Sequence, residues 1–187
     1  MRQRVVLGIS GASGAALALD CMRHLARIGV AVDLVTTRMA RHTCDLELGP
    51  TATAELERLA DVIHDGTNMG ATVASGSYPV AGMIVAPCSM RSLAAIANGL
   101  DDTLLTRAAG VQLKERRPLV LLAREAPLTL AHLRNMTTVT EMGGIILPPV
   151  PAFYLKPDSV AAITHQIAVR AVDMLRLERP LADAWQG

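Results

Sequence analysis

Apolar and polar positions along the chain follow two different periods, and together they predict strands that alternate with helices. Short apolar runs bounded by glycine or polar residues predict buried strands at residues 5–9, 30–35, 83–87, 119–122 and 144–147. Apolar residues at helical spacing predict helices at residues 15–28, 51–60, 102–116, 128–140 and 158–177, with shorter helices at 38–44 and from Cys88 onward. This alternation predicts an α/β fold, a three-layer αβα sandwich around a parallel, Rossmann/flavodoxin-like sheet of about five strands.

The first predicted helix has one polar stripe, and its other positions are aliphatic. The stripe carries Asp20, Arg23, His24 and Arg27, which places His24 on the exposed side of a mostly buried helix. Residues 65–78 follow neither period, and a loop of this length inside a compact domain is often a binding element.

Composition narrows the class of protein. The 187 residues are 51% hydrophobic and 19% charged, which fits one globular domain with a full core. Lys and Arg number 18 against 17 Asp and Glu, without a basic tract, so a nucleic-acid partner is not expected. No apolar run is long enough to span a bilayer and no signal-peptide layout is present, so we expect no membrane association and a cytoplasmic protein.

Two further features of composition concern the cysteines and the aromatic residues. Cys21, Cys44 and Cys88 are scattered, which indicates neither a disulfide framework nor a zinc site. Aromatic residues make up only 2% of the chain, so the core must be aliphatic. High apolar content in a small domain also favours burial of some surface between subunits.

The segment after the first strand contains Gly8, Gly11 and Gly14 and then enters a helix. Glycines allow close backbone approach to a ligand, and the free N–H groups of a helix start favour a phosphate. The spacing differs from the G-x-G-x-x-G dinucleotide fingerprint, so a turn that only tightens the strand–helix connection is the alternative.

Two other strand ends carry hydroxyl groups. The second strand ends in Thr36 and Thr37, where a dinucleotide-binding unit would have an acidic residue, so a mononucleotide such as FMN fits better than NAD. Ser89 and Ser92 open the helix after the next strand, a second start that favours anions; simple helix caps are the alternative in both places. A helix start would also lower the pKa of the Cys88 thiol, although no histidine nearby in sequence supports a catalytic thiolate.

Cationic residues are concentrated in the middle of the chain. Arg107 and Lys114 lie two turns apart on one predicted helix face, and Arg124 follows a strand end beside Glu125. Such a group suits a phosphate or diphosphate. Glu125 could orient Arg124, accept a proton or pair with Lys114. No aspartate-rich magnesium motif is present, so no metal is expected.

Several sequence blocks, taken together, resemble the flavin prenyltransferase (UbiX-like) family. The similarity extends along nearly the whole chain to Trp185–Gly187. Its most specific blocks are Gly8–Gly14, Ala74–Ser77, Ala86–Ser92, Leu104–Ala109, Leu113–Val120, Arg124–Pro127, His132–Met136 and Pro148–Tyr154. The resemblance implies transfer of a dimethylallyl group from dimethylallyl monophosphate to N5 and C6 of reduced FMN, without a metal, and release of prenylated FMN to a UbiD-type decarboxylase. It also implies a homo-oligomer, typically a dodecamer.

The resemblance also implies residue roles. FMN contacts carried over from the family are Gly11, Ala12, Ser13, Thr37, Ser89, Met90, Arg91, Ser92 and Arg124. The group around the prenyl phosphate is Arg107, Lys114, Glu125, Tyr154 and Arg170. Ser13 and Glu47 resemble residues that handle protons and steady the allylic cation, which makes Ser13, Glu47, Glu125 and Lys114 the expected catalytic set.

The chain departs from the family at one position and leaves other readings open. Met69 stands where some members have a tryptophan that stacks on the prenyl group, so the choice between a mono- and a diphosphate donor is open. A flavin-dependent cysteine decarboxylase and a non-catalytic flavin carrier are the alternative functions. The chain is expected to be a single domain over residues 1–187, whose tail, about residues 178–187, packs on a neighbouring subunit.

Overall fold

A computed structural model describes residues 2–185 and contains one six-stranded sheet, in the order β3-β2-β1-β4-β5-β6. All neighbouring strands in it are parallel. The strands are β1 (Arg4–Ile9), β2 (Ala31–Thr36), β3 (Val62–His64), β4 (Gly82–Cys88), β5 (Leu119–Ala123) and β6 (Ile145–Ile146). The helices are α1 (Ala15–Arg27), α2 (Arg38–Leu48), α3 (Pro50–Leu59), α4 (Met90–Ala97), α5 (Leu104–Lys114), α6 (Leu130–Glu141) and α7 (Val160–Asp173).

Alternate residues of the strands face two separate apolar layers, which confirms the three-layer prediction. Val5, Leu7 and Ile9 of β1 belong to the core shared with α1, α2, α3 and α7. Val6 belongs to the core on the other face, which includes residues of α4, α5 and α6. Because side chains alternate along a strand, a strand buried on both faces reads as a continuous apolar run.

The predicted sheet lacked one strand. β3 has only three residues, pairs only with β2, and its apolar side chains Val62 and Ile63 are exposed. The short run lies between a helix and an aperiodic loop, so it carried no distinguishing period. Helix α2 is also longer than predicted, since it continues from Arg38 to Leu48.

The expected exposure of His24 is wrong. Its side chain is buried between α1 and α7, with 2% of its surface exposed. Its Nδ1 lies 2.8 Å from the guanidinium of Arg27, and its Nε2 is buried without a hydrogen-bond partner in the described part of the chain. Burial and, secondarily, the charge of Arg27 lower the pKa of His24, so the ring is neutral near pH 7.

Residues 178–185 fold back onto α7 of the same chain. The Asp173 carboxylate accepts hydrogen bonds from the N–H groups of Leu181 and Ala182, both at 2.9 Å. Gln166 and Asp183 are joined by two further hydrogen bonds. The last two residues of the predicted tail, 186 and 187, lie outside the described residues. Within residues 2–185, the helices are all too short or too polar to cross a membrane.

Candidate functional site

The turns that follow β1, β4 and β5 are joined at the carboxyl edge of the sheet. The Ser10 hydroxyl donates a hydrogen bond to the carbonyl of Pro87 at 2.7 Å and accepts one from the N–H of Ser89 at 2.8 Å. The Arg124 N–H donates to the carbonyl of Cys88 at 3.1 Å. Segments distant in sequence, each carrying expected FMN contacts, are therefore neighbours in the fold.

The start of α1 is occupied by a carboxylate of the chain itself. Glu47, at the end of α2, accepts hydrogen bonds from the N–H groups of Gly14 at 2.9 Å and Ala15 at 2.8 Å. The Ser13 side chain is close enough to help lower the pKa of Glu47. The interpretation of this helix start as a phosphate site is therefore wrong, because Glu47 takes the place of the anion.

The Ser13–Glu47 pair, proposed from resemblance, is brought together by the structure. Burial alone would raise the pKa of Glu47. Hydrogen bonds from Ser13, Ala15 and Gly14, and the nearby charge of Arg124, outweigh that effect and lower its pKa below the usual range. Glu47 is therefore ionised at neutral pH, and it accepts hydrogen bonds at the start of α1.

The glycine-rich turn also has a packing role. A Cβ at Gly11 would lie 2.5 Å from the Cβ of Met39, so the missing side chain lets α2 approach the turn. Gly14 has φ +113°, a left-handed conformation that favours glycine, and it sets the direction of entry into α1. Close approach of α2 is what carries Glu47 to the start of α1.

Thr37 is the N-cap residue of α2, but its hydroxyl makes no capping hydrogen bond. It lines a cavity of about 730 Å³ at the ends of β1, β2 and β3. Ligand cavities typically span about 300–1,000 Å³, so this one is large enough for a nucleotide-sized molecule. Thr37 and Arg38, at the start of α2, line it together.

The start of α4 confirms the capping interpretation of Ser89. Its hydroxyl accepts the N–H of Ser92 at 3.3 Å, while Met90 and Arg91 occupy the first turn. Arg91 forms an ion pair with Asp102, just before α5. The expectation of a lowered Cys88 pKa is wrong, since complete burial raises the pKa of this thiol to about 12.

Arg107 and Lys114 line a common cavity of about 550 Å³, as their spacing on one helix face predicted. Arg107 bonds to Asp101 at 3.0 Å and to the carbonyl of Ala74 at 3.1 Å. Lys114 pairs with Glu115. The alternative in which Lys114 pairs with Glu125 is therefore wrong; the Glu125 carboxylate accepts the N–H of Ala126 at 3.1 Å.

Tyr154 and Arg170 line a different cavity, of about 470 Å³, formed by the segment after β6, helix α7 and the tail. Trp185 belongs to its wall and packs edge-on against Tyr154, with ring centroids 5.2 Å apart. Sequence reasoning did not assign Trp185 to the site. A signal was available in the sequence, because the chain has very few aromatic residues and the resemblance extends to Trp185.

The residues expected to bind phosphate therefore divide between two cavities of a single chain. Ser13 and Glu47, for which the resemblance implies proton handling, lie together at the sheet edge, whereas Arg107–Lys114 and Tyr154–Arg170 are separate. Among residues 2–185, no three His, Cys, Asp or Glu side chains form a group that could hold a metal ion.

The flavoprotein family model matches residues 1–171 of the chain. The flavin prenyltransferase UbiX of Thauera aromatica is 46% identical over 184 residues, with 98% of this chain and 94% of the relative covered. A crystal structure of AnUbiX (PadA1) in complex with FMN and dimethylallyl pyrophosphate has a TM-score of 0.94 at 43% identity and covers 100% of this chain and 99% of its own.

Two further solved structures are similar. A dodecameric FMN-dependent UbiX-like decarboxylase from Escherichia coli O157:H7 has a TM-score of 0.93 at 42% identity, with 99% of this chain and 100% of that one covered. The FMN-dependent cysteine decarboxylase TvaF shares the fold alone. It is 17% identical, with a TM-score of 0.64, and 90% of this chain and 99% of the TvaF chain are covered. The chain therefore belongs to the flavoprotein family and, within it, to the flavin prenyltransferases of the UbiX type.

Proposed function

We propose that this chain transfers a dimethylallyl group from dimethylallyl monophosphate to N5 and C6 of reduced FMN. The single observation that carries this function is the full-length similarity to a solved UbiX structure in complex with FMN and dimethylallyl pyrophosphate. Prenylated FMN is the product and passes to a UbiD-type decarboxylase.

The residues at the carboxyl edge fit FMN. A cavity of about 730 Å³ adjoins the uncapped Thr37 hydroxyl and the start of α2, which together suit a phosphate. The proposed flavin contacts are Gly11–Ser13, Thr37, Ser89–Ser92 and Arg124, and these segments meet at one edge. Bound reduced FMN supplies the nucleophilic atoms N5 and C6.

The chain's own residues supply proton handling and charge. Ser13 and ionised Glu47 handle protons beside the flavin site. The negative charge of Glu47 also stabilises an allylic cation. Arg107, Lys114, Tyr154 and Arg170, with Glu125 as an orienting carboxylate, bind the departing phosphate. The aliphatic core behind these residues excludes water, which would otherwise capture the cation.

The division of the phosphate-binding residues supports assembly of the site between subunits. Arg107 and Lys114 line one cavity and Tyr154 and Arg170 another, so a neighbouring copy can bring the two groups together. A dodecamer, as in the E. coli O157:H7 relative, is the proposed assembly. The tail that covers Tyr154 is proposed to pack against that neighbour, through exposed Trp185.

The proposal includes a cytoplasmic location. Its support is that Cys21, Cys44 and Cys88 are all free thiols, which is the usual state in a reducing compartment.

The test is an anaerobic incubation of the purified chain with reduced FMN and dimethylallyl monophosphate, followed by mass spectrometry of the flavin. We expect a flavin heavier by one C5H8 unit, and dimethylallyl pyrophosphate in a parallel reaction measures donor preference. FMN that binds but stays unmodified with both donors would contradict transfer and favour a carrier. Decarboxylation of a cysteine-terminated peptide would instead indicate the alternative enzyme class.

A further inference from the structure

Strand β2 contains a fully buried carboxylate that the proposed reaction does not use. Asp33 is 0% exposed in a strand whose other residues are almost all apolar. Its Oδ2 accepts a hydrogen bond from Arg4 at 2.9 Å and lies 3.4 Å from the Tyr78 hydroxyl. Its Oδ1 lies 2.7 Å from Nε2 of His64. A buried charge of this kind is costly unless it is fully paired, and such groups often serve a function.

His64 connects this buried carboxylate to the cavity that Thr37 lines. Its side chain is 9% exposed, and it lines the same cavity of about 730 Å³ as Thr37. Because a carboxylate only accepts hydrogen bonds, Nε2 carries the hydrogen in the bond to Asp33. Nδ1 is then the ring nitrogen that remains for another partner, and Asp33 fixes the orientation of the ring.

The acidic side chains that line this cavity are paired within the chain, so some of the donors that line it are without a partner. Glu57 is paired with Arg41 at 2.7 Å. The Asp65 carboxylate accepts the N–H and the hydroxyl of Thr67 at 2.9 and 2.8 Å.

Both acidic side chains of the lining are therefore engaged within the chain. Within residues 2–185, Arg38 forms no ion pair, and the hydroxyls of Thr36 and Thr37 form no hydrogen bond. What remains at the wall is the Arg38 guanidinium, two hydroxyls and His64 Nδ1, which donates a hydrogen bond when both ring nitrogens carry a hydrogen. In that form His64 is a cation between the Asp33 carboxylate and the cavity, and the set suits a phosphate.

We propose that His64, oriented by Asp33, contacts the phosphate of FMN across this cavity, opposite Thr37 and Arg38, and so sets a preference for FMN over riboflavin. The inference rests on the proposed flavin function. His64 is a ligand-contacting residue and Asp33 a positioning residue. Riboflavin has the same ring system and ribityl chain but no phosphate, so it does not form this contact.

The test compares FMN and riboflavin affinities of the full chain freed of flavin, by fluorescence titration. In His64→Gln we expect FMN affinity to fall roughly tenfold, since a hydrogen bond to a charged group is lost, while riboflavin affinity is unchanged. His165→Gln is the matched control, because His165 is exposed on α7. Asp33→Asn keeps an acceptor for His64 and should keep the FMN preference, whereas Asp33→Leu should lose it.

Several results would overturn the proposal. If His64→Gln lowers the affinities for FMN and riboflavin equally, His64 does not contact the phosphate. The same conclusion follows if the preference for FMN is unchanged in His64→Gln or in Asp33→Leu. A wild-type chain that binds neither flavin would overturn the proposed function and this contact with it. A crystal structure of the wild-type chain with FMN gives a test that no variant's folding can affect. A phosphate oxygen within hydrogen-bond distance of His64 supports the contact, and a phosphate elsewhere overturns it.

Discussion

The two halves of the candidate site are built differently. At the carboxyl edge of the sheet, Ser13 and Glu47 meet within one chain, although more than thirty residues of sequence separate them. The proposed phosphate-binding half is divided, with Lys114 in one cavity and Arg170 in another. Under the proposed function, a single chain brings together the residues of the flavin half, whereas the donor half needs a neighbouring subunit.

The largest expected effect concerns the donor half. Replacement of Lys114 by Met should lower the rate of prenyl transfer about 100-fold, because one group that neutralises the leaving phosphate is lost. FMN affinity should stay at the wild-type value, since Lys114 lies outside the flavin edge. Rates of formation of the heavier flavin and FMN titrations check both statements. Arg134→Met on the exposed face of α6 is the control; an equal loss of FMN binding in Lys114→Met would remove the distinction between the halves.

Mixing two inactive variants tests the division directly. Lys114→Met and Arg170→Met chains, unfolded together and reassembled, should regain about a quarter of wild-type activity if each site takes one group from each of two subunits. Each variant reassembled alone should stay inactive. No recovery in the mixture would mean that both groups act from the same chain.

The flavin half should depend on Glu47 for stability as well as chemistry. Glu47→Gln should lower the free energy of unfolding by about 1 kcal/mol at pH 7, the usual value of a helix cap. Because the pKa of Glu47 is lowered in the folded chain, this contribution is present above the ordinary glutamate pKa. It is lost as pH falls through the lowered value. Urea unfolding of both proteins between pH 7 and pH 3 measures it; a difference that persists at the acidic end would contradict the cap.

The smallest expected effect is at Cys88. Its pKa of about 12 and complete burial predict no measurable alkylation by iodoacetamide in the folded chain at pH 8. Mass spectrometry of peptides checks this, with the urea-unfolded chain as the reactive control. Rapid modification of the native thiol would mean that the flavin edge is open to solvent.

Local patterns predicted the fold better than the site. The one-face placement of Arg107 and Lys114 followed from helical spacing, and the cavity they share confirms it. Glu47 could not be placed at Gly14 from residues alone, because that contact depends on how α2 packs on Gly11. His24 misled for a related reason, since a polar residue within a stripe can still be covered by a neighbouring helix. Contacts between segments distant in sequence depend on tertiary packing, and the local spacing of apolar residues carries no information about it.

The Ser10 hydroxyl, which bridges Pro87 and Ser89, has a consequence for engineering this scaffold. Replacement of Ser10 by a residue without a hydroxyl would leave the Ser89 N–H without this acceptor, at a cost of about 1–3 kcal/mol. Because both bonds end on backbone atoms, libraries that diversify this rim should keep a hydroxyl at position 10 while the side chains at 87 and 89 vary.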